Sequence, residues 1–247
     1  MKKNTKFIIS YDGSRYYGWE HQPNTDLTIQ GKIETVLERM VNHPIELISA
    51  GRTDAGVHAK AMVANAILDT DMSEEKIRDY LNHYLPDDIG IEDVKFCAER
   101  FHSRYKAVGK TYCYTCYYGS TKPVFDRKYV YVLDKMPDLN AMKEAASILI
   151  GEHDFASFCT NGKTKKSTVR IVDLIDIKQK GNYITFTYHG TGFLQHMVRI
   201  LTGTLLEVGW RQRSVDSIKE LLDNPDRKRS GATAPAQGLC LTKVDYN

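Results

Sequence analysis

The sequence predicts an α+β fold of two ferredoxin-like β-α-β-β-α-β halves, forming one extended, mainly antiparallel sheet with helices on one side. Three observations carry that expectation. Strand-like runs and helical apolar stripes follow the order β-α-β-β-α-β up to about residue 97. The same order recurs from about residue 110 to the end. Cap and turn residues punctuate both passages. The halves are expected at 1–105 and 106–247, with the boundary inside 98–109 and no clear linker or low-complexity tract to mark it. A groove between two such halves is the natural place for a ligand.

In chain order, residues 5–11 read as a strand, and 28–41 as a helix with Ile29, Ile33, Val36, Leu37 and Met40 at helical spacing. Residues 45–50 and 61–68 read as strands. Ser73 caps a helix reaching Tyr84, with Ile77, Tyr80, Leu81 and Tyr84 on one stripe. Leu85-Pro86-Asp87-Asp88 ends it, and 89–97 is a further strand. The second half opens with strand 110–118 and a short strand at 128–132, then a helix over 139–150 stopped by Gly151. Strands 170–179 and 183–189 flank the hairpin pair Gly181-Asn182. Helices over 194–208 and 215–222 and a strand over 239–246 complete the chain.

Composition narrows the class of partner. With 42% hydrophobic residues the 247-residue chain can bury a large core or two small ones. No run of 18 apolar residues is present, so a membrane span is not expected. Met1-Lys2-Lys3-Asn4 leads straight into a strand-like run, so no secretory leader is expected either. Five cysteines suit reduced thiols in a cytoplasmic protein. Net charge is only +3, but its distribution is uneven. Lys163, Lys165, Lys166 and Arg170 form one basic cluster, Arg211 and Arg213 another, and Arg227, Lys228 and Arg229 a third. Arg100, Arg104, Lys106 and Lys110 form a fourth, interleaved with Phe101, Tyr105 and Tyr112. Charge mixed with rings suits nucleic acid, where cations meet phosphates and aromatics meet bases. Each cluster taken singly also reads as a solvated face.

Three stretches could carry chemistry. Ser49 to His58, SAGRTDAGVH, sets a guanidinium, a hydroxyl and a carboxylate on a short loop between two glycines. On spacing alone, an ordinary turn in which Asp54 bonds its own backbone is the plainer reading. Gly192 to Arg199, GFLQHMVR, opens a helix that places His196 and Arg199 on one face. Phe101 to Tyr114 reads equally as an aromatic-rich edge strand. Other patterns carry less. Cys113 and Cys116 form C-x-x-C, but on a strand that spacing sends the thiols to opposite faces, and no second pair completes a metal site. Glu152-His153-Asp154 lacks partners at ligand spacing, so no metal is expected. Phosphate-cradling and dinucleotide-binding glycine motifs are missing, as is the RNP1 pattern.

Taken together, these stretches resemble the TruA family of tRNA pseudouridine synthases, nearly end to end. The resemblance rests on Tyr11-Asp12-Gly13 with Tyr17-Gly18-Trp19, on Gly51-Arg52-Thr53-Asp54-Ala55-Gly56-Val57-His58, and on Asn82 to Asp88. It continues through Phe101-His102-Ser103-Arg104 and Lys110 to Tyr114, then Gly151 to Phe155, His196 to Arg199, and Thr233-Ala234-Pro235 with Gly238-Leu239. It implies the pseudouridine synthase fold and isomerisation of uridine at positions 38, 39 and 40 of the tRNA anticodon stem-loop. It also implies a homodimer working without metal or cofactor. It implies that Asp54 attacks or deprotonates the target nucleotide, that Tyr112 stacks near the flipped base, and that Arg199 pairs with the aspartate. Arg52 maps onto the arginine that holds the flipped nucleotide, and Gly51, Thr53 and His58 join it as substrate-binding positions. Lys163, Lys165, Lys166 and Arg170 read as a basic loop gripping the RNA.

The sequence departs from the family pattern at Glu20, where glutamine is usual, at Thr191, where asparagine is expected, and at Thr168-Val169 before Arg170. These departures touch the RNA target rather than the reaction, and a paralogue acting on another RNA stays open. So does a non-catalytic RNA-binding module, which would explain the basic clusters but not Asp54 flanked by Arg52 and two glycines.

Overall fold

The computed structural model describes residues 2–160 and 167–247. Ten strands and five α-helices among them give an α+β fold with mainly antiparallel pairing. The chain divides into two compact units, Met1–Val108 with Cys240–Asn247, and Gly109–Leu239.

The first unit opens with β1 (Lys2–Tyr11), α1 (Ile29–Val41), β2 (Ile48–Ser49), β3 (His58–Asp69), α2 (Glu74–Tyr84) and β4 (Ile89–Phe96). This is the expected β-α-β-β-α-β order. β1 lies between β3 and β4, antiparallel to both, with Phe7 opposite Ala64 on one side and Val94 on the other. Alternate residues of β1 are buried, Phe7 and Ile9 completely. Thr28 caps α1 by accepting from the Gly31 amide, and Ile29, Ile33 and Leu37 turn inward. Ser73 caps α2 through the Lys76 amide. Ile77 and Leu81 of α2 are buried, but Tyr84, expected on the same stripe, is 41% exposed. It closes the helix under the Arg39 guanidinium, whose carbon lies 4.7 Å from the ring centroid. That is a cation–π contact rather than core packing.

The second unit contains β5 (Ala107–Tyr117, from Gly109 onward), β6 (Tyr131–Val132), α3 (Leu139–Ile148), β7 (Gly151–Asp154), β8 (Val169–Lys180), β9 (Tyr183–Gly190), α4 (Met197–Gly209) and α5 (Ser217–Asp223). Its sheet runs β5-β9-β8-β7, all antiparallel, with β6 parallel to the end of β5. Lys180 pairs with Tyr183 across the two-residue turn Gly181-Asn182. β9 alternates strictly between buried and half-buried, so one face of this sheet is covered and the other partly open. The buried face holds Ile184, Phe186 and Tyr188.

The last strand, β10 (Leu239–Tyr246), returns to the first unit and pairs in parallel with β3 at His58 and Ala59. This return explains a shortfall elsewhere. The expected strand over 45–50 shrinks to two residues because β1 occupies one edge of β3, and β2 and β10 divide the other. Two further boundaries move for backbone reasons. α4 begins at Met197, not 194, because His196 is left-handed at φ 62° and breaks the helix ahead of it. α3 stops at Ile148, short of the expected 150, and Gly151, at φ 123°, starts the edge strand β7, which periodicity did not indicate.

Candidate active site

Asp54 lies on the loop between β2 and β3, and the backbone is tied down on both sides of it. The Thr53 carbonyl accepts from the Trp19 amide at 3.1 Å, and the Gly56 amide donates to the Tyr16 carbonyl at 3.2 Å. The Val57 amide donates to the Asp54 carbonyl at 3.1 Å, closing a tight turn. The Thr53 side chain is buried and shares a 2.8 Å hydroxyl–hydroxyl bond with Tyr11. These bonds hold the half-buried Asp54 between an anchored Thr53 and an anchored Gly56. The backbone that carries its carboxylate therefore has a defined position before any ligand arrives, a condition for holding a catalytic group.

The segment that holds this loop depends on two glycines. Gly18 has φ 98°, and a Cβ there would sit 2.7 Å from the Thr53 carbonyl oxygen. At Gly13 a Cβ would fall 2.0 Å from the Val57 carbonyl oxygen. Only backbone without side chain can lie this close to the loop. Behind that segment stands Asp88. Its carbonyl accepts from the Asp12 amide at 3.0 Å, and its carboxylate accepts from the Tyr16 hydroxyl at 2.6 Å and pairs with the Arg15 guanidinium. Burial, followed by the bond to Asp88, pushes the Tyr16 phenol up to about 12.

The other expected positions of the first unit divide into buried and exposed. His58 is 5% exposed, and its Nδ1 accepts from the Gly13 amide at 3.1 Å. Arg52 is exposed and ion-paired with Glu20. Gly51 accepts the Ser49 hydroxyl at its carbonyl, 2.8 Å away. Arg52 also borders a cleft of about 230 Å³.

Tyr112, Arg199 and Arg170 belong to the second unit. Tyr112 lies on β5 opposite Tyr188, 8% exposed, with its ring edge-on to Phe193 at 5.2 Å. It shares the buried face of β5 with Tyr114 and Cys116, while Cys113 lies on the other face, 3.9 Å from the Thr115 hydroxyl. Tyr114 donates its hydroxyl to the Pro235 carbonyl at 2.7 Å, and burial holds its phenol far above the ordinary tyrosine range. Arg199 sits in the first turn of α4. Its Nε donates to the Ala234 carbonyl at 2.8 Å and its own carbonyl accepts from the Ala234 amide at 3.1 Å, fixing the plane of the guanidinium. Arg170 turns back on its own strand, donating to the Ser167 and Val169 carbonyls. Lys163, Lys165 and Lys166 lie outside the described residues.

Sequence reasoning noted Tyr11-Asp12-Gly13, Tyr17-Gly18-Trp19, Asp88 and Thr233-Ala234-Pro235 but gave them no role. The first three form the mount of the Asp54 loop, and Ala234 orients Arg199. Their spacing in the chain holds no signal for this, because each acts across a long sequence separation. Among the described residues no group of three or more His, Cys, Asp or Glu side chains is placed to hold a metal ion, and no helix is long and apolar enough to cross a membrane.

The profile of a family described as tRNA pseudouridine synthase matches residues 7–106 and 145–247. A protein of Clostridium perfringens named tRNA pseudouridine synthase A 2 is 42% identical over 99% of this chain and 100% of its own length. A tRNA pseudouridine synthase A of Clostridium kluyveri is 41% identical over the same shares. A tRNA pseudouridine synthase A 2 of Bacillus cereus is 41% identical over 98% of this chain and 99% of its own. Among solved structures, one chain from the crystal structure of a Cbf5-Nop10-Gar1 complex aligns with 96% of this chain and 49% of its own length, at TM-score 0.36 and 13% identity.

Proposed function

The chain belongs to the tRNA pseudouridine synthase family, and from that premise we propose that it isomerises uridine to pseudouridine at positions 38, 39 and 40 of the tRNA anticodon stem-loop, with Asp54 as its catalytic carboxylate. The observation that carries the reading is the mount of Asp54. A carboxylate on a loop whose backbone is held by Tyr16 and Trp19 and whose Thr53 side chain is held by Tyr11, next to an exposed arginine, suits chemistry on an anionic polymer.

The reaction breaks the bond between N1 of uracil and C1′ of the ribose, turns the base, and joins C5 to C1′. N1 ends with a proton and C5 loses one, so product and substrate are isomers. No electrons are exchanged, and the chemistry calls for no cofactor. An ionised carboxylate serves whether it attacks C6 or C1′ or removes a sugar proton. Tyr112 is proposed to relay the proton that leaves C5, and Arg199 to supply positive charge for the reaction. The target base has to leave its stack, at a cost of a few kcal/mol. Arg52 offsets part of that by binding phosphate in a bidentate fashion. Gly51, Thr53 and His58 shape the loop that presents Arg52 and Asp54. Lys163, Lys165, Lys166 and Arg170 are assigned to grip the RNA arm, a role that removing the three lysines tests by flattening the salt dependence of binding. The working form is taken to be a cytoplasmic homodimer, which sedimentation of the purified chain checks.

The experiment is conversion of unmodified tRNA by the purified chain, with each pseudouridine mapped. Product at 38, 39 or 40 supports the reading. Product only elsewhere would make the chain a paralogue with another target, and binding without product would make it a non-catalytic module.

A further inference from the structure

Beside the Asp54 loop, within the first unit, lies the cleft of about 230 Å³, lined by Trp19, Leu47, Arg52, His102, Arg104 and Tyr105 together with the carboxylates Glu20 and Glu46. We propose that this cleft is a second nucleotide subsite, in which an unpaired base of the RNA stacks on the Tyr105–His102 platform while Arg104 and Arg52 take the flanking phosphate.

Tyr105 is 80% exposed, so its ring face is open to a ligand. It is held in place. Its ring centroid lies 4.2 Å from that of His102 with the planes 34° apart. His102 is itself fixed, because its Nδ1 accepts from the backbone amides of both Arg104 and Tyr105, at 3.2 and 3.3 Å. A neutral His102 therefore carries its proton on Nε2 and presents a donor, complementary to phosphate or to a base carbonyl.

The platform rests on a rigid base. Ser103, between these residues, is fully buried, and its amide and hydroxyl both donate to the Asn65 side-chain oxygen at 2.8 and 2.7 Å. Tyr246 of β10 donates to the Ser103 carbonyl at 2.8 Å. Asn4 of β1 donates to the carbonyls of Ala98 at 3.0 Å, Glu99 at 3.2 Å and Phe101 at 2.8 Å. Three strands thus strap down a segment whose outward side chains are a ring, an imidazole and a guanidinium. Folding gains little from that arrangement unless the exposed groups meet a ligand. Arg104 is exposed and has no carboxylate partner among the described residues, whereas Arg52, which also lines the cleft, is held by Glu20.

Phosphate between two guanidinium groups and a base on an aromatic face is how single-stranded nucleic acid is held. The base has to be unpaired, since a paired base has both faces stacked. Asp54 is not among the residues that line the cleft, so the ligand is a loop nucleotide other than the target uridine. This inference rests on the proposed RNA substrate and adds a contact to it.

The test is direct binding of unmodified tRNA by the full chain and its variants, with turnover measured separately. Tyr105→Ala is expected to weaken binding about tenfold, the scale of one lost base–aromatic stack. Tyr105→Phe and Tyr105→Trp should stay within about twofold of the parent, since both keep a stacking face. In turnover, the loss in Tyr105→Ala should fall on KM more than on kcat. Arg104→Ala should make the slope of log affinity against log salt shallower by about one. Unchanged affinity in Tyr105→Ala, or equal loss in Tyr105→Phe and Tyr105→Ala, overturns the subsite. A parent that binds tRNA without converting it overturns the proposed activity and leaves the binding comparison decisive for the subsite.

Discussion

The Arg52 guanidinium is ion-paired with the Glu20 carboxylate, both side chains about half exposed. Arg52 belongs to the loop that carries Asp54, and Glu20 is the position at which the resemblance leads to the expectation of glutamine. In the free protein Glu20 therefore competes with RNA phosphate for the same guanidinium. Glu20→Gln is expected to tighten tRNA binding by about two- to fivefold, the scale of an exposed ion pair. The effect should vanish in an Arg52→Ala background, which a double-mutant cycle on binding measures. An equal gain with Arg52 absent would mean that Glu20 acts by general repulsion.

Gly18→Ala should be costly although it adds one methyl group. The residue is buried at φ 98° with the Thr53 carbonyl against it. Stability is expected to fall by about 1–3 kcal/mol, read by urea unfolding, and turnover should fall as well because Thr53 precedes Asp54. A variant of parental stability and rate would show that the loop is not positioned from this side.

Above pH 10 the parent should lose stability more steeply than Tyr16→Phe. The Tyr16 phenol is raised in the folded protein, by burial and by its bond to Asp88, from an ordinary value near 10 to about 12. The unfolded chain gives up that proton first. The stabilising contribution is complete below the unfolded value and is lost as pH climbs through the folded one. Unfolding midpoints at pH 8, 10 and 11.5 for the two proteins check this, and parallel curves would refute it.

Tyr112→Phe is expected to slow conversion far more than it weakens binding. The ring stays against Phe193, so packing is kept, while the hydroxyl proposed to relay the C5 proton is gone. A single-turnover rate equal to the parent's would leave Tyr112 a packing residue.

Much of the fold was legible because local signals carried it. The stripe Ile29, Ile33, Leu37 and the cap Ser73 are where the sequence placed them, and Gly181-Asn182 makes the expected hairpin turn. What stayed hidden depends on distant chain. Nothing near residue 45 announces that β10 claims half an edge of β3. Nothing local shows that His196 is left-handed. The same division holds at the site. The loop containing Asp54 stood out by its residues, but its anchors act at long range. The Tyr11–Thr53 bond spans 42 residues of chain and the Tyr16–Asp88 bond 72, separations that only the fold closes.

The central claim is that Asp54 performs the chemistry, and the most direct measurement is single-turnover conversion of unmodified tRNA by Asp54→Asn and Asp54→Ala beside the parent. Both variants are expected to give no detectable pseudouridine while binding tRNA within a few-fold of the parent, since an anionic side chain adds nothing to the attraction for phosphate. Conversion at about a tenth of the parental rate or faster by either variant would contradict the account, because a group that forms or breaks bonds cannot be removed at so small a cost.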